Sequence, residues 1–232
     1  MSVRYAVYLA PPPDSFLWAF GSSILGYDAA SGGALTPPDL PGFDAETWHD
    51  LTAEPRRYGF HGTLKAPFRL AEGRSEADLF SALAEVAQEH HGFELGALSV
   101  REIGTFIALV PSGPVPALLD LAGCAVVDLD AYRAPLSEQE IARRRPNGLS
   151  PRQREYLDRY GYPYVLEEFR FHMTLTGSLE DGVRSHACNA LSEAFIASGA
   201  NMPLEVFDLA LYRQDAPDER FRIVHRTPLR RV

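Results

Sequence analysis

The chain has 232 residues, 22 of them Lys or Arg and 31 Asp or Glu, for a formal charge of −9. That length holds one large domain or two small lobes, and 46% hydrophobic against 23% charged residues excludes a disordered chain. The acidic balance argues against an extended nucleic-acid partner, whose binding needs many phosphates neutralised, while a small phosphorylated ligand in a local basic groove stays open.

Residues 4–9, rich in Tyr and Val, are expected to form a strand ended by Pro11, Pro12 and Pro13. This apolar stretch is too short for a secretory signal, no apolar run reaches the ~20 residues that span a bilayer, and a cytoplasmic, non-membrane protein is expected. Asp14 is placed as the N-cap of a helix carrying Phe16, Leu17, Phe20, Ile24 and Leu25. Residues 28–55 are expected to be a loop with one short helix, and 61–70 a strand distorted by Pro67. Residues 75–90 give the clearest helix, with Ser75 three places before Asp78. Two strands over 93–110, a helix over 115–129 and a helical insertion over 135–160 follow; within the insertion Ser150-Pro151 marks a helix start. A strand at 171–178, a helix at 182–198 and a hairpin from 204–213 to 221–227 close the chain. The mixture predicts an α+β class, with helices covering antiparallel or mixed sheets. Cys124 and Cys188 fit neither a disulfide framework nor a CxxC site and are expected to be reduced and buried.

The informative feature is a repeat. Phe60-His61-Gly62-Thr63-Leu64 and Phe171-His172-Met173-Thr174-Leu175 match at Phe, His, Thr and Leu, more than a hundred residues apart, as in an internally duplicated, two-lobed fold. Side chains alternate faces along a strand. His61, Thr63 and Lys65 are therefore expected on one face, like His172, Thr174 and Thr176, with the Phe and Leu residues packing under helices. Such a surface suits phosphodiester chemistry: one neutral imidazole serves as general base and the other, protonated, as general acid. The threonine hydroxyls can donate to the phosphate oxygens on which charge accumulates. Lys65 is the only lysine of the chain, and its compact ammonium is a suitable phosphate partner. No metal or cofactor is called for, and HExxH, P-loop and dinucleotide glycine signatures are missing.

The two motifs, His61-Gly62-Thr63 and His172-Met173-Thr174, resemble the paired His-x-Thr/Ser signature of the two-histidine (2H) phosphoesterase superfamily, which includes LigT-like cyclic phosphodiesterases. The resemblance implies one bilobal, pseudo-two-fold domain over residues 1–232 and a metal-independent site between its halves. It also implies hydrolysis of a 2′,3′- or 1,2-cyclic phosphate of a small nucleotide or ribosyl compound. Residues 57–68 and 167–177, with 150–154 and 161–164, further resemble a branch encoded beside bacterial phosphonate-utilisation genes. A non-catalytic phosphate-ligand sensor or RNA-end-binding module using the same groove is the alternative. Arg143, Arg144 and Arg145 are taken as a solvated helical face in preference to a lid over a phosphate.

Overall fold

The computed structural model describes residues 3–144 and 148–231. Its strands are β1 (Arg4–Leu9), β2 (Tyr27–Asp28), β3 (Gly33–Ala34), β4 (Gly62–Phe68), β5 (Phe93–Gly96), β6 (Leu98–Ile103), β7 (Phe106–Pro111), β8 (Met173–Thr174), β9 (Leu204–Val206), β10 (Asp208–Gln214) and β11 (Arg222–Pro228). The helices are α1 (Phe16–Leu25), α2 (Ala45–Leu51), α3 (Ala53–Arg56), α4 (Glu76–Glu89), α5 (Pro116–Val127), α6 (Glu138–Arg144), α7 (Pro151–Tyr160) and α8 (Asp181–Ala197). The class is α+β.

Seven strands make one antiparallel sheet in the order β11-β10-β1-β4-β8-β7-β6. Its two halves, β11-β10-β1-β4 and β8-β7-β6, meet at the single pair Gly62↔Met173. The sheet thus has a narrow waist, and the two histidine strands are neighbours across it. Helix α4 lies on β10 and β11, α5 on β4, and α8 on β6 and β7. Beneath this layer runs an apolar core that includes Val7, Leu64, Leu109, Met173 and Leu211.

Local signals explain most elements. Ser75 and Asp78 form a reciprocal capping box on α4, and Ser150 with Gln153 forms another on α7. Ser15 rather than Asp14 caps α1, because it is Ser15 whose hydroxyl accepts from the Trp18 amide. The stretch 93–110 holds three strands, since Gly96 at φ 78° breaks the first from the second. The expected strand at 171–178 shrinks to two residues. Over 28–55 the chain forms the small β2–β3 hairpin, α2 and the start of α3. Both cysteines are half-buried and free.

Two buried contacts fix the segment that delivers His61. Arg56, only 5% exposed, donates through Nε to the Leu25 carbonyl at 2.7 Å and through NH2 to His49 O and Thr52 Oγ1, both at 2.5 Å. This closes the C-terminal end of α1 onto α2 and α3. Phe60, fully buried, lays its ring on Gly21 of α1, so closely that a Cβ there would stand 2.3 Å from the ring. Gly21→Ala is therefore expected to lower the unfolding free energy by about 1–3 kcal/mol through overpacking. Urea denaturation checks it: an unchanged midpoint would mean that Phe60 is not held against this helix.

Candidate active site

The site grows from the pairing of β4 with β8. Gly62 opposite Met173, carried one residue each way, sets His61 opposite Thr174 and Thr63 opposite His172. Since neighbours along a strand alternate sides, these four side chains share the face opposite to Gly62 and Met173. Directly opposed residues have Cα atoms about 4.5–5.5 Å apart. Each imidazole is thus crossed with the threonine of the other motif. Gly62 is required beneath them because the Phe171 ring occupies the position of a Cβ, at 2.3 Å.

The two histidines are held alike. His61 Nδ1 lies 2.9 Å from the Gly59 carbonyl and His172 Nδ1 lies 2.8 Å from the Arg170 carbonyl, in each case the residue two places earlier. A carbonyl only accepts, so in both rings Nδ1–H donates and Nε2 is left for chemistry. Gly59 adopts φ 75° to aim its carbonyl, in a turn where a side chain would meet Ala29. His61 Nε2 stands 3.2 Å from Thr63 Oγ1, and the ring stacks on Tyr8 with centroids 3.7 Å apart and planes 18° apart. His172 packs beside Phe106 at 5.5 Å. The Thr174 hydroxyl makes no hydrogen bond to another described residue.

Burial shapes the electrostatics. Desolvation pushes His61 down to about 4, the Gly59 bond opposes it, and the charge of His172 adds to the fall. His172 is lowered too, by burial, against the Arg170 bond. Both rings favour the neutral state, and His61 does so more strongly.

His61, Thr63 and Thr174 line a cleft of about 570 Å³ together with residues that include Arg4, Tyr8 and Arg144, while His172 is not among its lining residues. That volume suits a small ligand. Sequence reasoning missed most of this wall: Arg4 and Tyr8 on β1, Arg57 and Tyr58 before His61, Phe106 and Tyr162. The period-2 spacing of Arg4 and Tyr8 was the available signal. Of the arginine run at 143–145, Arg144 lines the cleft and contradicts the expected solvated face, while Arg145 lies outside the described residues.

Lys65 must be moved out of the site. The register between β1 and β4 shifts, with Tyr8 opposite Thr63 but Val7 opposite Lys65, so that Leu64 is an extra residue. Such a bulge reverses the side on which the next residue points. Lys65 faces α5, 3% exposed, where its ammonium donates to Val126 O at 2.9 Å and lies 3.5 Å from Asp130. Burial there lowers it to about 8, against the pull of Asp130. Thr176 borders the cleft, but its hydroxyl accepts from the Ile107 amide at 3.0 Å and donates to Gly177 O at 3.0 Å. It braces β7 against β8 and has no donor left for phosphate.

Among the described residues no group of three His, Cys, Asp or Glu side chains is placed to hold a metal ion, and no helix is long and apolar enough to cross a membrane.

Residues 63–222 match the model of the DUF1045 family, described as a protein of unknown function, and the chain belongs to that family. It is 40% identical over 228 residues to a Janthinobacterium sp. (strain Marseille) protein named ribose 1,5-bisphosphate phosphokinase PhnN, covering 97% of this chain and 50% of that one. A protein of the same name from Laribacter hongkongensis (strain HLHK9) is 38% identical, over 95% of this chain and 50% of its own. The chain thus spans about half the length of the curated relatives it matches. Among solved structures, E. coli LigT complexed with 3′-AMP superposes over 99% of both chains at a TM-score of 0.49 and 15% identity.

The altered place of Lys65 has a stability consequence. Lys65→Met is expected to cost about 1–3 kcal/mol, by leaving the Val126 carbonyl and Asp130 carboxylate without their buried cation. Thermal and urea unfolding read this directly, and a variant as stable as the parent would refute the buried ion pair.

Proposed function

We propose that this chain is a metal-independent phosphoesterase that opens a cyclic phosphodiester by acid–base catalysis between His61 and His172. The observation that carries this reading is the crossed pair of His-x-Thr motifs on adjacent strands, each ring held by a carbonyl at Nδ1, with the Thr63 hydroxyl 3.2 Å from His61 Nε2 and no described partner at His172 Nε2. His61, the more strongly desolvated ring, is the base: its Nε2 takes a proton from water as the water oxygen attacks phosphorus. The ester P–O bond opposite breaks, and protonated His172 gives its Nε2 proton to the departing sugar oxygen. Thr63 and Thr174 donate to the non-bridging oxygens, which carry the growing charge. Two imidazolium ions side by side would repel, so the working state carries a single proton on the pair, on the less desolvated ring.

The substrate we favour is a ribosyl 1,2-cyclic phosphate. Opening such a ring at O2 leaves a ribose 1-phosphate, and a phosphate at that position is part of the compound after which both curated relatives are named. This chain has no GKS/T phosphate loop, so we place the kinase named in those longer proteins in the half that this chain does not match. A role in phosphonate breakdown fits the same substrate.

Three outcomes test the proposal. His61→Ala and His172→Ala should each lower kcat by about 10²–10⁴ on 1,2- or 2′,3′-cyclic phosphates, followed by ³¹P NMR, and EDTA should leave the parent rate unchanged. Binding of the cyclic phosphates without turnover would favour a sensor instead. The pH profile of kcat/KM reports the free enzyme. Activity should fall below about pH 4 as His61 gains its proton, and should fall again as pH rises through the lowered value of His172, which loses its own. The expected optimum lies on the acid side of pH 6.5, and His172→Ala should erase the alkaline limb. An optimum above pH 8 would remove the imidazole pair from the mechanism.

A further inference from the structure

The cleft holds cationic groups that a single diester has no use for. Arg4, Arg57 and Arg144 all line it, against one lining carboxylate, Glu54, among the described residues. Arg4 and Arg57 are tied to a common point: Arg4 Nε donates to Gln214 Oε1 at 2.7 Å, while Gln214 Nε2 and Arg57 NH2 both donate to the Pro217 carbonyl, at 3.5 and 2.7 Å. Arg144 approaches from the other side, donating to Pro67 O at 2.8 Å and Gly161 O at 2.5 Å. Pro67 precedes Phe68, and Phe68 is paired with Tyr5, next to Arg4. Two of the guanidinium groups therefore gather where β1 begins, and the third is joined to them through Gln214 and Pro217.

The distance to the histidines is meaningful. Arg4 and Tyr8 lie on one face of β1, four residues apart, so about 13 Å along the strand, and the long arginine side chain spans part of that gap. Tyr8 sits against His61 and opposite Thr63. Its phenol is 1% exposed yet makes no hydrogen bond to another described residue, and it borders the cleft between the two groups. One sugar ring fits between the threonine pair and the arginines. The planar guanidinium is suited to a dianionic phosphate, which it grips through paired N–H donors, whereas a neutral base or sugar would call for stacking and amide groups.

We infer that the Arg4–Arg57–Arg144 end of the cleft is a second anion subsite, which takes a phosphomonoester, so that the substrate carries a terminal phosphate besides the cyclic diester. This rests on the assignment of the two His-x-Thr motifs to the first phosphate. Tyr8 is the donor placed between the two anions.

Calorimetric titration of the whole chain with ribose 1-phosphate and with ribose 1,5-bisphosphate tests it. The bisphosphate should bind about tenfold to hundredfold more tightly, the increment of one charge-assisted contact group. In Arg4→Met/Arg57→Met that ratio should collapse towards one. Because Arg57 is exposed, Arg57→Met alone gives the same comparison if the double variant does not fold, with a smaller but definite fall. Equal affinities in the parent chain, or a ratio that survives the arginine substitutions, would overturn the second subsite and leave the first reading standing. Failure of both ligands to bind the parent would overturn the two together.

Discussion

The molecule depends on one backbone pairing, Gly62 with Met173. It joins the halves of the sheet and crosses the two motifs, and it has almost no length to protect it, since β8 contains two residues. A slip of one place would send every histidine and threonine to the helical side. The surroundings prevent that slip. Phe171 fills the space over Gly62, Phe60 is seated on Gly21, and the Tyr212 hydroxyl donates to the Phe60 carbonyl at 3.1 Å. On the other side, Met173 pairs with Leu109, Thr174 with Ala108, and the Thr176 hydroxyl holds the Ile107 amide. The phenylalanines and Met173 of the repeat thus set the register of its histidines and threonines.

How far this was legible in the sequence varies with the range of the interaction. The His-x-Thr repeat could be read because strand alternation is local, and the capping boxes at Ser75 and Ser150 because they close within four residues. Lys65 defeated the same reasoning. Alternation carries it to the reactive face only if no residue is inserted, and the bulge at Leu64 is a property of the pairing with β1, invisible in either strand alone. The arginine and tyrosine wall was illegible for a related reason. Arg4 and Tyr8 share a face by their spacing, yet which face meets the cleft is decided by the antiparallel partners Gln214 and Thr63, far along the chain. Sheet order, in which β1 and β10 flank β4 on one side, has no local signature.

Net charge proved to be a poor guide to local charge. The chain is acidic overall, but several of its carboxylates are paired away from the cleft, as in Arg184 with Glu102 and Asp181, or Arg213 with Glu76 and Asp215. The cleft keeps arginines bonded mainly to neutral carbonyl and amide oxygens in the contacts described above. An acidic exterior around a cationic recess disfavours long polyanions and still admits a small one.

The same recess clarifies why both imidazoles are depressed in the free protein. Each is desolvated, and neither has a carboxylate among its described contacts, so burial lowers its affinity for a proton. An anion lodged between Thr63 and Thr174 would provide a negative counterpart and raise the affinity of the pair for one proton. His172, with less desolvation to overcome, would receive it first, while His61 stayed neutral beside Thr63. The ligand would thus establish the unequal protonation that general acid–base chemistry requires, and the site would be armed by the charge of the molecule it acts on. A carboxylate hydrogen-bonded to either ring would lessen this dependence by raising its proton affinity before anything is bound. No such carboxylate stands among the described contacts of His61 and His172, so in the proposed chemistry the charge of the ligand has to separate their protonation states.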